Sequence, residues 1–269
     1  MTNLSDLASL IARLRGEQGC PWDRAQTLRS MRSYLLEETY EVLEAIDGTP
    51  EVGPDPELEG ELGDLLFNVM MLMQIAEDAG KARRADVVAR IVQKMIRRHP
   101  HVFPPEGGPS DVVAGPSLAR WESVKAKERA GGSRLDGIPR GAPALVHAHR
   151  QGEKAAGIGF DWPDIGGVLG KLDEEVGELK EAIASEDQRA MEAELGDVLL
   201  SLASVGRHLQ APAEDALRGA VARFDRRFRA MEAAAEAQGR SLQGLDADTL
   251  ETMWQEAKGL LAASNDRSQ

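Results

Sequence analysis

Apolar side chains recur at the spacing of an α-helix along most of the chain, in long segments rich in Ala, Leu, Glu and Arg. Four stretches rich in Gly and Pro interrupt this pattern, and no segment alternates in the way that is typical of a β-strand. The pattern therefore predicts an all-α protein. The predicted helices span residues 4–17, 27–47, 57–80, 84–99, 117–130, 143–156, 164–185, 187–210, 212–238 and 247–263.

The helical pattern contains an internal repeat. Residues 36–46, LEETYEVLEAI, return 137 positions later as DEEVGELKEAI, and residues 61–66, ELGDLL, return 133 positions later as ELGDVL. Further downstream, two clusters of basic residues and two tryptophans recur in the same order. Such ordered self-similarity is typical of a duplication. We therefore expect two similar helical modules, residues 1–130 and 144–269, joined by a linker over residues 131–143.

Each module carries two pairs of carboxylates three residues apart. On a helix of 3.6 residues per turn, Glu38 and Glu41 border the apolar stripe that contains Val42 and Ile46. The second copy repeats this arrangement with Glu175 and Glu178 beside Leu179 and Ile183. The partner helices carry the pairs Glu61 with Asp64 and Glu194 with Asp197.

A single pair of acids at this spacing is usually a solvated helix face, but the repetition favours a shared purpose. Like charges are mildly unfavourable at this spacing and cost far more beside a core without a cation. Two such helices packed together would bring four carboxylates to one place. An oxygen-only donor set suits Mg²⁺, with Mn²⁺ as the alternative. A di-iron bundle would need Glu-x-x-His pairs, which these positions lack.

Basic and aromatic residues downstream of the acids could complete a polyphosphate site. Arginine and lysine neutralise phosphate oxygens, and a carboxylate-bound metal bridges the remainder. The cations have a second interpretation as solvated surface charges, and the tryptophans as core anchors rather than stacking platforms. The candidates are Lys94, Arg97, Arg98, Trp121 and Lys125 in the first module, and Arg223, Arg226, Arg227, Trp254 and Lys258 in the second.

Composition limits the possible functions. The chain has 269 residues, 42% of them hydrophobic, and a formal net charge of −13 with only 4% aromatic residues. The surplus of carboxylates argues against stable nucleic-acid binding. We also expect no membrane segment, and the single cysteine, Cys20, fits a reducing, cytoplasmic compartment.

At these residues the sequence resembles the MazG family of nucleoside triphosphate pyrophosphohydrolases, in particular its long two-module members. The family pattern of Glu-x-x-Glu, a spacer and Glu-x-x-Asp occurs in both modules. Further matching strings are GCPWD at residues 19–23, RRHPHVF at 97–103 and GFDW at 159–162. The resemblance runs from about residue 4 to residue 260.

The resemblance implies an all-α homodimer in which two protomers build each four-helix-bundle-type site. It also implies hydrolysis of NTP to NMP and pyrophosphate, with Mg²⁺ at the carboxylates. The second module is the better candidate for catalysis, and whether the first module is also active is left open. In the second module the resemblance assigns the chemistry to Glu175, Glu178, Arg223, Arg227 and Lys258. Arg223 stands at a position where the family commonly has lysine.

Two other functions stay open at this point. The first is a non-catalytic helical module that binds nucleotides or a partner and uses metal only for structure. The second is a relative that acts on phosphoribosyl-ATP, for which the two-module length is less suitable. The preferred base and sugar are not encoded in any pattern described above.

Overall fold

The structure, a computed structural model, describes residues 3–48, 53–99, 102–104 and 132–265, with side chains up to residue 261. All regular secondary structure in these residues is α-helical, which confirms the predicted all-α class. The chain divides into two compact units, Met1–Ala114 and Gly115–Gln269. Among the described helices, none has the length and apolar character needed to cross a membrane.

The described helices are numbered in chain order. The first unit contains α1 (Leu4–Arg15), α2 (Pro21–Ala25), α3 (Met31–Gly48), α4 (Pro56–Asp78) and α5 (Arg84–Arg98). The second unit contains α6 (Ala144–Ala156), α7 (Ile165–Ala184), α8 (Gln188–His208), α9 (Ala213–Ala237) and α10 (Ala247–Asn265).

Most predicted helices are confirmed to within a few residues, with two differences in the first unit. The short helix α2 was not predicted, because five residues are too few to show a periodic pattern. Helix α3 begins at Met31 rather than at residue 27, because Thr27 and Ser30 close a turn by donating their backbone N–H groups to each other's side-chain hydroxyls. The predicted helix 117–130, with Trp121 and Lys125, lies outside the described residues.

Aspartate side chains fix the start of the two helices that carry the second acid pair of each module. Asp55 accepts hydrogen bonds from the first backbone N–H groups of α4, and Asp187 does the same for α8. Such N-caps satisfy donors that have no partner within the helix. The caps therefore set where Glu61 and Glu194 lie along their helices.

The first unit is built on the pairing of α3 with α4, against which α1 packs. Its core contains Ile11, Met31, Met71 and Ile75. Arg15, at the end of α1, forms hydrogen bonds to α4 and α2. Its Nε donates to Asp78 at 2.7 Å, and its Nη1 donates to the carbonyl of Asp23 at 2.6 Å.

The second unit repeats this plan with α7 paired to α8, while α6 packs against α8 and α9. A separate apolar cluster joins α9 to α10 and contains Met231, Ala235, Met253 and Ala257. Gly152 of α6 lies against Arg207 of α8, where a Cβ would be 2.8 Å from the arginine Nε. The glycine therefore lets the two helices approach around the arginine side chain.

An ion pair joins the segment before α7 to the end of α8. Arg207 donates two hydrogen bonds to the carboxylate of Asp161, one of them 2.7 Å long, and His208 Nε2 lies 3.2 Å from the same group. The hydrogen bonds from Arg207 hold the pKa of the Asp161 carboxyl at about 2, below its usual value. Because α7 and α8 carry the second group of acids, this ion pair, which we call the Asp161 clasp, fixes their relative register.

We expect Asp161→Asn to lower the free energy of unfolding by about 1–2 kcal/mol at pH 7, because it removes charge-assisted hydrogen bonds between two partly exposed side chains. The folded pKa lies below the unfolded value of about 3.9, so the stabilisation is complete above that pH and is lost as pH falls towards 2. Denaturant titrations at pH 7, 5, 3 and 2 would measure this. The exposed Asp225→Asn should change stability by less than about 0.5 kcal/mol. A difference from wild type that persists undiminished at pH 2 would contradict the assignment.

Candidate active site

Three carboxylates converge in the first module. Oxygen atoms of Glu38 and Glu41 from α3 and of Glu61 from α4 all lie within 4.8 Å of one another. Glu38 and Glu61 are half-buried, and Glu41 is exposed. Asp64 does not join this group, although it lies one turn beyond Glu61 on the same helix. The predicted convergence of two helices is therefore present, with three of the four acids in the closest group.

The close approach of these acids disfavours their charged forms. Partial burial raises the pKa of Glu38, and the negative charges of Glu41 and Asp64 raise it further. Burial and the charge of Glu41 also raise the pKa of Glu61. A cation placed among these oxygens would relieve both effects, because it would favour the ionised carboxylates.

The second module also brings three carboxylates together, but two of them come from the second helix of the pair rather than the first, and one acid is more deeply buried. Oxygen atoms of Glu175 from α7 and of Glu194 and Asp197 from α8 lie within 4.8 Å of one another. Glu175 is only 6% exposed. Glu178 lies outside the closest group, but burial and then the charges of Glu175 and Glu194 raise its pKa.

A lysine that sequence analysis missed contacts the second group. Lys171 Nζ lies 2.7 Å from Glu175 Oε1 and donates to Glu174 Oε1 at 2.8 Å. These two hydrogen bonds raise the pKa of Lys171 above its usual range. The spacing of four residues between Lys171 and Glu175 was the available signal, because such pairs are neighbours on a helix.

The apolar stripes beside the acids are buried only in part. Val42 is buried, as predicted, and Leu179 is half-buried. The prediction was wrong for Ile46 and Ile183, which are 51% and 55% exposed. Both lie in the last turn of their helices, where the preceding alanines, Ala45 and Ala182, are buried instead.

One predicted cation of the second module, Arg227, contacts Trp254. Arg227 lies over the indole ring at 5.7 Å from its centroid, and the ring of Phe224 lies 5.1 Å away. Trp254 also packs against the apolar cluster between α9 and α10, so it anchors this helix pair. Lys258 is exposed one turn further along α10.

The remaining predicted cations are distributed along α5 and α9. Arg223 and Arg226 are exposed on α9. In the first module, Lys94 and Arg98 are half-buried and Arg97 is exposed in the last turns of α5. In the part of the second module that the structure describes, no salt bridge joins the four α9 and α10 cations to the carboxylate group. Those cations are Arg223, Arg226, Arg227 and Lys258.

The donor set fits a hard divalent cation. Each group offers three carboxylates from two helices, and magnesium and manganese take such oxygen ligands. The described residues of each group include no histidine or cysteine, which zinc or copper would favour. Fold and geometry together define a duplicated all-α protein with an acidic group in each module that could hold a metal ion.

Comparison with known proteins shows which family has this fold and acidic site. The profile described as "MazG nucleotide pyrophosphohydrolase domain" matches the chain twice, over residues 26–103 and 167–230. The chain belongs to the MazG nucleotide pyrophosphohydrolase family. Both matched ranges contain the four acids of their module, which confirms the resemblance found in the sequence.

Several relatives match along almost the whole chain. A protein of Escherichia coli K12 named "Nucleoside triphosphate pyrophosphohydrolase" is 42% identical over 96% of this chain and 98% of its own length. A Thermotoga maritima protein named "Nucleoside triphosphate pyrophosphohydrolase/pyrophosphatase MazG" is 42% identical over 94% of this chain and 95% of its own. A Bacillus subtilis protein named "Uncharacterized protein YabN" is 38% identical over 94% of this chain, which spans 51% of that protein.

Proposed function

We propose that this protein is a nucleoside triphosphate pyrophosphohydrolase that converts NTP and water to NMP and pyrophosphate. The observation that carries the proposal is the group of three convergent carboxylates that recurs in both modules. Its near full-length similarity to relatives named for this activity supports the same assignment. A role in removing unwanted canonical or damaged nucleotides from the pool follows from this chemistry.

Mg²⁺ is the proposed cofactor, and Mn²⁺ is the alternative. The proposed ligands are Glu38, Glu41, Glu61 and Asp64 in the first module, and Glu175, Glu178, Glu194 and Asp197 in the second. When bound, the ion would neutralise phosphate charge and activate water for hydrolysis. The carboxylates have the separate task of holding that charge at a fixed place between two helices.

The basic residues of α9 and α10 are proposed to hold the triphosphate. Arg223, Arg226, Arg227 and Lys258 supply positive charge, and Arg223 offers a planar fork that differs from the point charge of a lysine. Trp254 keeps Arg227 in place through its ring and offers a surface to the nucleotide. The first module's Lys94, Arg97, Arg98, Trp121 and Lys125 are the equivalent candidates.

The second module is the proposed site of turnover. Glu175 is the most deeply buried of the eight acids, and burial strengthens electrostatic interactions because water is excluded. The predicted module boundaries, 1–130 and 144–269 with a linker over 131–143, form part of this proposal. We further propose a cytoplasmic location and no stable nucleic-acid partner, in keeping with the net charge of −13.

A homodimer is proposed because equivalent apolar positions are exposed in both modules. Leu62 and Leu66 of α4 flank the first group of acids, and Leu195 and Leu199 are their counterparts in α8; all four are at least 38% exposed. Helices α5 and α9 likewise expose equivalent apolar residues. These are Val88 and Val92 in α5, and Leu217 and Val221 in α9. Apolar surface repeated beside a charged site is typical of a protein interface.

The reaction itself gives the first test. We expect a panel of NTPs and dNTPs to yield NMP and pyrophosphate, identified by chromatography, with turnover lost in EDTA because the carboxylates then lack their cation. In ¹⁸O-labelled water the label should appear in NMP, since water attacks the α-phosphorus. NDP and phosphate would show cleavage of a different bond. Absence of metal-dependent turnover would favour a non-catalytic nucleotide-binding module.

A pair of matched substitutions assigns the chemistry to one module. Glu178→Gln should lower kcat/KM by about 100-fold or more, because it removes one charge from the acid cluster without changing its shape. Glu41→Gln, the equivalent change in the first module, should lower it by less than about threefold. Steady-state kinetics with the preferred NTP would measure both. The reverse pattern would move turnover to the first module, and near-normal activity in both variants would overturn the assignment of these acids.

A further inference from the structure

The two modules differ one helical turn before Glu175 and its first-module counterpart, Glu38. Lys171 precedes Glu175 by four residues, and the equivalent position before Glu38 holds Tyr34. Tyr34 packs against the core of the first unit, with its ring edge-on to Trp22 at 5.7 Å. The first module therefore has an aromatic core residue where the second has a cation in contact with the acids.

The lysine occupies the neighbourhood that a divalent ion would need. Its Nζ lies 2.7 Å from Glu175 Oε1, and metal–carboxylate bonds are about 2.0–2.1 Å long for Mg²⁺. An ion on that oxygen would thus lie within about 5 Å of the ammonium group. Two positive charges at that distance repel strongly in a partly buried site, where water screens them poorly.

Glu174 is an alternative ion-pair partner for Lys171. Its Oε1 accepts from Lys171 Nζ at 2.8 Å, and its side chain is 57% exposed. Lys171 can keep this contact while it moves away from the buried Glu175. The displaced ammonium would then remain paired, whereas Glu175 would be free to bind a metal ion.

We propose that Lys171 is a built-in counter-ion that a divalent metal must displace from Glu175, and that this competition operates only in the second module. The inference rests on the metal site of the proposed function. It assigns Lys171 a positioning role: the residue balances the charge of Glu175 before the metal binds, and Glu174 receives it afterwards. The first module binds its ion without this competitor.

The first test measures Mn²⁺ affinity without nucleotide in the full-length chain. The double substitution Glu38→Gln and Glu61→Gln removes metal binding by the first module. The EPR signal of free Mn²⁺ then reports binding to the second module alone. In this background Lys171→Met should tighten binding by roughly three- to tenfold, because the competing charge is gone. Lys180→Met, an exposed change on the same helix, should alter it by less than twofold. Unchanged affinity in folded Lys171→Met would overturn the proposal.

The second test asks whether Glu174 acts through the lysine. Glu174→Gln should weaken Mn²⁺ binding about two- to fivefold when Lys171 is present and have no effect in the Lys171→Met background. Additive effects would instead indicate general electrostatics and contradict the displacement. Glu174→Gln changes an exposed side chain, and its comparison with the equivalent Glu37→Gln in the first module tests the proposal even if Lys171→Met fails to fold.

The first module supplies a matched control. Glu37 is the counterpart of Glu174, and no lysine stands one turn before Glu38. With the second module silenced by Glu175→Gln and Glu194→Gln, Glu37→Gln should change Mn²⁺ affinity by less than twofold. An effect as large as that of Glu174→Gln would contradict the proposal. Absence of Mn²⁺ binding to the second module would overturn both the metal site and its competitor, whereas product analysis tests the reaction separately.

Discussion

Repulsion among carboxylates that two packed helices hold together is the constraint on which this structure depends. In each module, three acids bring their oxygens within 4.8 Å of one another, and negative charges this close disfavour one another's ionised forms. Such a group persists only if something compensates its charge. The N-caps at Asp55 and Asp187 and the Asp161 clasp all act on the helices that carry these acids, and they keep the charges in place.

The two modules meet that constraint in different ways. In the first, partial burial and neighbouring charges raise the pKa of Glu38, and no lysine stands one turn before it. In the second, Glu175 is buried more deeply and Lys171 provides a positive charge at 2.7 Å. Duplication has thus kept one convergent pair of acids in both modules, Glu38 with Glu61 and Glu175 with Glu194, while the third acid of the group and the immediate partners have diverged.

The sequence predicts the helices and the converging acids because both depend on local spacing. Glu38 and Glu41 share a helix face by periodicity alone, and the repeat doubles the strength of that signal. Tertiary detail could not be predicted in the same way. In the last turns of α3 and α7 the buried residues are Ala45 and Ala182 rather than Ile46 and Ile183, and α2 is too short to show a periodic pattern. Lys171 was visible only as an i,i+4 pair, a spacing that surface charges also show.

Each carboxylate group is proposed to bind a divalent cation. Crystals grown with Mn²⁺ and measured at the manganese absorption edge would test it most directly. We expect anomalous density within coordination distance of Glu175, Glu194 and Asp197, and a second peak among Glu38, Glu41 and Glu61. Crystals that contain Mn²⁺ in solution but show no anomalous peak at either group would contradict the claim, because the acids would then be balanced by protons and side chains alone.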